Sequence, residues 1–251
     1  MDFVKKEDYD CLLKQVEELL EMQKRSQKQT DDLIDMCTDA ISLLAHDTDR
    51  YRDKRIKNIL NYPPLKQLRN DPAIIIHIMP LDINTNIDLT SQYPEQIYYL
   101  MEPYSEKQAV YLYNADGFYT YVAETDDTIN TYYHIKGNGV FEMRIPVLID
   151  DGKGFVIHEE LFLSSLHERI VKALNVQQCF SITPPVNFYV SLINIDETFI
   201  YTIHRQLIGP FKIQTLLLPK ITIDDIAGLI TAIKPALHIM WQACGAKGYN
   251  K

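Results

Sequence analysis

The chain has 251 residues, 46% of them hydrophobic and 24% charged, with only 9 Gly and 12 Pro. That is enough apolar side chain for a sizeable core, and it excludes collagen-like, low-complexity and wholly disordered readings. A formal net charge of −9 argues against a protein whose main surface grips nucleic acid, because neutralising phosphates takes concentrated Lys and Arg.

The first residues, Met1-Asp-Phe-Val-Lys-Lys-Glu-Asp8, run straight into charge with no apolar stretch, so no secretory signal is expected and the expected compartment is the cytoplasm. The longest near-continuous apolar stretch, Ala73 to Met79, is interrupted by His77 and falls far short of the roughly 20 residues that span a bilayer. Cys11, Cys37, Cys179 and Cys244 stand singly, without the C-x-x-C pairs of a zinc site or redox dithiol, and reduced thiols are expected.

Charge is segregated along the chain. Residues 1–49 hold six Lys and Arg against thirteen Asp and Glu, whereas residues 50–71 hold seven against two, a switch from −7 to +5 that marks a boundary. Inside the acidic segment the positions Leu12, Val16 and Leu19, then Gln23, Ser26 and Thr30, then Leu33, Cys37, Ala40 and Leu44 step by four and three, which is a helical seam. Leu13, Leu20, Ile34 and Ile41 keep the seven-residue step on the neighbouring row and widen the stripe. Its polar middle admits one long helix or, if Lys24–Thr30 breaks, a helical hairpin capped by Thr30 or Asp31. A helical arm over 1–60 is therefore expected, with Leu12, Val16, Leu19, Leu33, Ile34, Ile41 and Leu44 as the residues that meet a protein partner or a second copy of the chain.

Pro63-Pro64 ends the helical part, since neither can donate a backbone hydrogen bond. Residues 61–251 are expected to form an α+β globular domain, a mostly antiparallel sheet covered by helices. Ala73-Ile-Ile-Ile-His-Ile-Met-Pro-Leu81 is β-branched and apolar on both faces, as a central strand is. Further strands are expected over 109–113, 117–123, 132–134, 139–146, 188–195 and 200–203. The turns Asn114-Ala-Asp-Gly117 and Lys136-Gly-Asn-Gly139 supply left-handed positions, so residues 109–146 read as a meander of hairpins. Helices are expected over 158–178 and 223–243. Tyr93, Tyr98, Tyr99 and Tyr104 cluster around an expected loop.

Several of these segments, Tyr51-Arg-Asp-Lys-Arg-Ile-Lys-Asn-Ile-Leu60, Pro63-Pro64-Leu65, Ile74-Ile-Ile-His-Ile-Met-Pro-Leu81, Tyr113-Asn-Ala-Asp-Gly-Phe118 and Gly139-Val-Phe-Glu-Met143, resemble the C-terminal region of bacterial Schlafen-like proteins. Those proteins carry an Alba-type DNA-binding domain, often described as ATP-binding, at their N-terminus. Here an acidic helical segment stands in its place, so no nucleotide or DNA role of that domain carries over. The resemblance implies the fold of the shared region and suggests a bacterial setting in regulation or phage defence.

No Gly-rich phosphate loop, H-E-x-x-H or G-x-S-x-G is present. His158, Glu160 and His167 do not converge on one helix face, so no metal or cofactor is expected. The remaining candidates are a polar site at His77, Asp116, Glu142 and Arg144, and phosphate contacts by Arg50, Arg52, Arg55 and Lys57 within the basic stretch 50–69. Glu142 and Arg144 share a strand face by their spacing of two. The expected function is a non-catalytic interaction or sensor module that self-associates or docks a partner through its helices. A nucleic-acid-binding protein and a hydrolase or nuclease with a pocket around His77 and Glu142 are the alternatives.

Overall fold

The computed structural model describes residues 6–61, 68–84, 86–90, 94–103, 108–125, 128–150 and 154–247, and within the first helix it describes the side chains of 16, 18–30 and 47–61. The chain divides into two units, Met1–His46 and Asp47–Lys251.

Helix α1 runs over Lys6–Asn61. The polar middle is helical, and Thr30 behaves as a helix-interior residue rather than a cap, its hydroxyl donating to the Ser26 carbonyl at 3.0 Å. In the first unit every described side chain is exposed, including Val16, Leu19, Leu20 and Met22. From Asp47 onward α1 belongs to the second unit. There Thr48, Arg52, Ile56 and Ile59 are buried at helical spacing. The unit boundary thus falls before the basic stretch and not at the Pro63-Pro64 break, because these turns pack on the sheet.

The second unit continues with β1 (Ala73–Pro80), α2 (Pro94–Met101), β2 (Val110–Asn114), β3 (Gly117–Thr125), β4 (Thr128–Lys136), β5 (Phe141–Pro146), β6 (Leu148–Asp150) and β7 (Gly154–His158). There follow α3 (Glu159–Cys179), β8 (Val186–Ile193), β9 (Phe199–Tyr201), β10 (Leu207–Ile208), β11 (Thr215–Leu217), β12 (Ile221–Ile223) and α4 (Leu229–Ala243). Among the described residues these strands make an eight-stranded antiparallel sheet in the order β11-β8-β1-β5-β4-β3-β2, with β12 also on β8, and a small sheet in the order β10-β9-β7-β6. Among the described strands only β7 and β9 pair in parallel. This is the α+β architecture read from the sequence.

Strand β1 lies between β5 and β8, and all eight of its residues are buried. Alternation sends Ile74, Ile76 and Ile78 into the main core with Leu166 and Ile170 of α3 and Leu237 and Trp241 of α4. Ala73 and Ile75 face the other way, onto Ile56 and Ile59 of α1. Each fully buried Ile contributes about 1.5–3 kcal/mol by removal from water. The β2–β3 turn forms because the Asn114 side-chain oxygen accepts the N–H groups of Asp116 and Gly117 at 2.9 and 3.0 Å. Gly117 is required at its end, since a Cβ there would stand 2.2 Å from the Ile135 carbonyl.

Two elements differ from expectation. The tyrosine-rich segment is helical from Pro94, a residue preorganised for the first helical position. Its Ile97 and Met101, four apart, enter the core, while Tyr98 stacks near Tyr111 and Phe118, and Tyr99 is exposed. Tyr93 and Tyr104 lie outside the described residues. The last helix begins at Leu229 and not at Ile223, because Ile221–Ile223 pairs with β8 and the Asp225 carboxylate accepts the Gly228 N–H at 2.6 Å. Among the described residues no helix is long and apolar enough to cross a membrane.

Candidate functional site

The sheet face beneath the last turns of α1 is polar at its centre. Register sets Glu142 of β5 opposite His77 of β1 on one side and opposite His134 of β4 on the other. All three are fully buried. Arg55, from α1, reaches Glu142 with both arms of its guanidinium, Nε to Oε2 at 2.5 Å and Nη2 to Oε1 at 2.8 Å. The Tyr132 hydroxyl donates to Oε1 at 2.8 Å. His77 Nε2 stands 3.1 Å from Oε2, and since a carboxylate only accepts, that nitrogen carries the proton. Glu142 therefore receives four hydrogen bonds, two of them charge-assisted and bidentate.

The electrostatics follow from this geometry. Burial would raise the Glu142 carboxyl, but the Arg55 charge and the hydrogen bonds from Arg55 and His77 hold it well below its ordinary value, so it stays ionised. Burial would lower Arg55, and the charge and hydrogen bond of Glu142 more than reverse this. His77 is lowered, burial outweighing its hydrogen bond to Glu142 and the Glu142 charge, and is neutral. His134 is lowered to about 3, chiefly by burial and then by the Lys136 charge. Its ring stacks on Tyr119 with centroids 3.5 Å apart, and both of its nitrogens are buried without a hydrogen-bond partner. Tyr132 is raised well above its ordinary value by burial and the nearby Glu142 charge.

Of the four residues read as a polar site, the structure joins only His77 and Glu142. Arg144 shares their face but turns its guanidinium to the carbonyls of Asn130, Arg69 and Asp71. Asp116 sits at the β2–β3 turn and pairs with Lys136 at 2.5 Å. As an ionised carboxylate whose two oxygens are taken up by Arg55, Tyr132 and His77, Glu142 is a counter-ion rather than a proton acceptor for a substrate. A cavity of about 410 Å³ lies on the other side of the sheet, lined by Ile74, Val156, Ile157, Phe162, Leu166 and Arg169 among others, and none of those four residues borders it. Its Arg169 is held by the Tyr133 hydroxyl at 2.5 Å and the Ser165 hydroxyl at 2.7 Å.

The basic stretch divides in the same way. Arg52 is buried, donating to the Leu218 carbonyl at 2.9 Å and lying over the Tyr189 ring, whose hydroxyl bonds Thr48 at 2.8 Å. Arg55 is committed to Glu142. Arg50, Lys54 and Lys57 are exposed, and Arg69 pairs with Asp71 at 2.6 Å. Neutralisation of Glu142 by Arg55 is the contact that sequence reasoning missed. Its signal was the spacing of Thr48, Arg52, Ile56 and Ile59, which sets Arg52 in an inward row and Arg55 at its margin.

Of the seven residues read as partner-binding, Val16 and Leu19 are 52% and 61% exposed. Leu12, Leu33, Ile34, Ile41 and Leu44 lie outside the residues whose side chains are described. Val16 and Leu19 are joined on the helix surface by Leu20 and Met22, 51% and 57% exposed. Compared with protein-family models, with curated proteins and with solved structures, the chain finds no match in any of the three.

Proposed function

We propose that this chain is a non-catalytic interaction module that self-associates through the helical residues 12–44. The observation that carries the reading is the exposure of Val16, Leu19, Leu20 and Met22, each more than half open to water on one helix. An isolated amphipathic helix gains little from propensity and takes its stability from burying such a face. The occupant is a second copy of the chain, because the seam has a polar centre between two apolar ends and an identical helix brings matching chemistry to each height. The buried Arg55–Glu142 pair supports a structural role for the sheet body, since the two charges are spent on one another. From the resemblance to Schlafen-like proteins alone, we infer a bacterial setting in regulation or phage defence.

Light scattering across a concentration series tests this. The full chain is expected to rise in mass with concentration, and a chain beginning at Asp47 is expected to stay monomeric. Monomers for both would remove the proposal.

A further inference from the structure

The width of the exposed face carries information beyond the fact of association. With Val16, Gln23, Thr30, Cys37 and Leu44 as heptad position a, the d positions are Leu12, Leu19, Ser26, Leu33 and Ala40. The flanking e positions are then Leu13, Leu20, Gln27, Ile34 and Ile41, and the g positions are Gln15, Met22, Gln29, Met36 and Leu43. None of these twenty residues is charged. All eleven charged residues between 12 and 44, from Lys14 to Asp39, fall on b, c and f.

At about 100° per residue the positions g, d, a and e together cover roughly 160° of the helix surface. One partner helix in a two-stranded coiled coil covers the a and d seam and leaves e and g at its margin, where charged residues set pairing. Here that margin is uncharged and half apolar or more. Leaving it in water would expose Leu, Ile and Met on both sides of the polar centre. Covering it takes a neighbour on each flank. In the heptad 16–22, Val16, Leu19, Leu20 and Met22 represent a, d, e and g, and all four are exposed, as are the polar Gln23, Ser26, Gln27 and Gln29 at those positions of the next. Val16 is the single β-branched aliphatic at an a position, too few to impose two-stranded geometry.

We infer that residues 12–44 assemble into a bundle of three or more copies of this chain, each helix flanked by two others. The inference rests on the self-association proposed above and adds its order. Copies of the chain suit this surface better than a lipid bilayer does. The uncharged polar run Gln23, Ser26, Gln27, Gln29 and Thr30 would lie stranded on hydrocarbon. Residues 31–49 carry six Asp and no Lys or Arg, the reverse of helices that lie on anionic membranes.

Sedimentation equilibrium of the full chain tests the order directly against the 29.2 kDa protomer. The expected mass is three or more protomers. Leu20→Glu with Met22→Glu, which charges both flanks and leaves the seam intact, is expected to lower the order to two or one and weaken assembly at least tenfold. Lys24→Glu, on the charged face, is expected to leave the order unchanged. Because these residues are exposed, all variants should unfold thermally as the parent does at a concentration where it is monomeric. A dimer unaffected by the flank substitutions would overturn the inference while leaving self-association intact, and a monomer at every concentration would overturn both.

Discussion

Replacing Arg55 with Ala is expected to destabilise the second unit by about 3–5 kcal/mol, because it strips the charge partner from a carboxylate that has no route to water. Glu142 would keep the hydroxyl of Tyr132 and the N–H of His77, but neither neutralises it. At about 2–4 °C per kcal/mol for a domain of this size, the melting temperature should fall by roughly 6–20 °C. Glu142→Gln, which keeps the shape and strands the guanidinium instead, should cost a similar amount. Lys54→Ala, one residue away on the exposed side of the same helix, should stay within about 0.5 kcal/mol. The double replacement Arg55→Leu with Glu142→Leu should recover a large part of either single loss, since removing both charges removes the desolvation cost with the attraction. An Arg55→Ala protein as stable as Lys54→Ala would show that the guanidinium is not what balances Glu142.

Acid should unfold the second unit in a defined window. His134 titrates near 6.5 when unfolded and at about 3 when folded, so between those values the unfolded chain binds more protons and stability falls as pH falls. His77 is shifted in the same direction by burial. Glu142, held down by Arg55, adds stability that is present above its ordinary value near 4.5 and is lost as pH falls further. The other charged groups facing this cluster are Lys136 from β4, which also lowers His134, and Asp116 from the β2–β3 turn, itself held below its ordinary value and therefore acting in the same direction as Glu142. All these carboxyl and imidazole shifts have the same sign. Denaturant unfolding should show little change above about pH 7 and a loss on the order of 3 kcal/mol from His134 alone by pH 4. His134→Phe, which keeps a ring against Tyr119 and cannot be protonated, should flatten the profile between pH 6.5 and 4.5. A flat profile in the parent protein, or an unchanged slope in His134→Phe, would mean that the imidazole is not excluded from water as its burial implies.

The central strand was legible because seven apolar or β-branched residues flanking one His leave no face for water, and β1 lies in the middle of the sheet accordingly. The Asn114–Gly117 turn was legible because only certain residues tolerate its backbone. The same local logic missed β6, β7 and β10 to β12, which have two to five residues each and are too short to show a period. It also missed α2, whose buried pair Ile97 and Met101 is hidden among tyrosines. The polar cluster was half legible. His77 and Glu142 stood out as polar residues in apolar strands, and alternation set their faces correctly. Their cationic partner lies 87 residues from Glu142 in a run of like charges that averaged to a basic patch. Only the helical row of Arg52 with Ile56 and Ile59 separates the inward arginines from the exposed Arg50, Lys54 and Lys57.

Amide hydrogen exchange over residues 12–44, followed at increasing protein concentration, tests the central claim most directly. Association of the uncharged helix face predicts exchange that slows progressively with concentration across this segment, while the β1 and β5 amides stay equally protected throughout. Exchange over 12–44 that is independent of concentration would contradict the account, whether it is fast or slow.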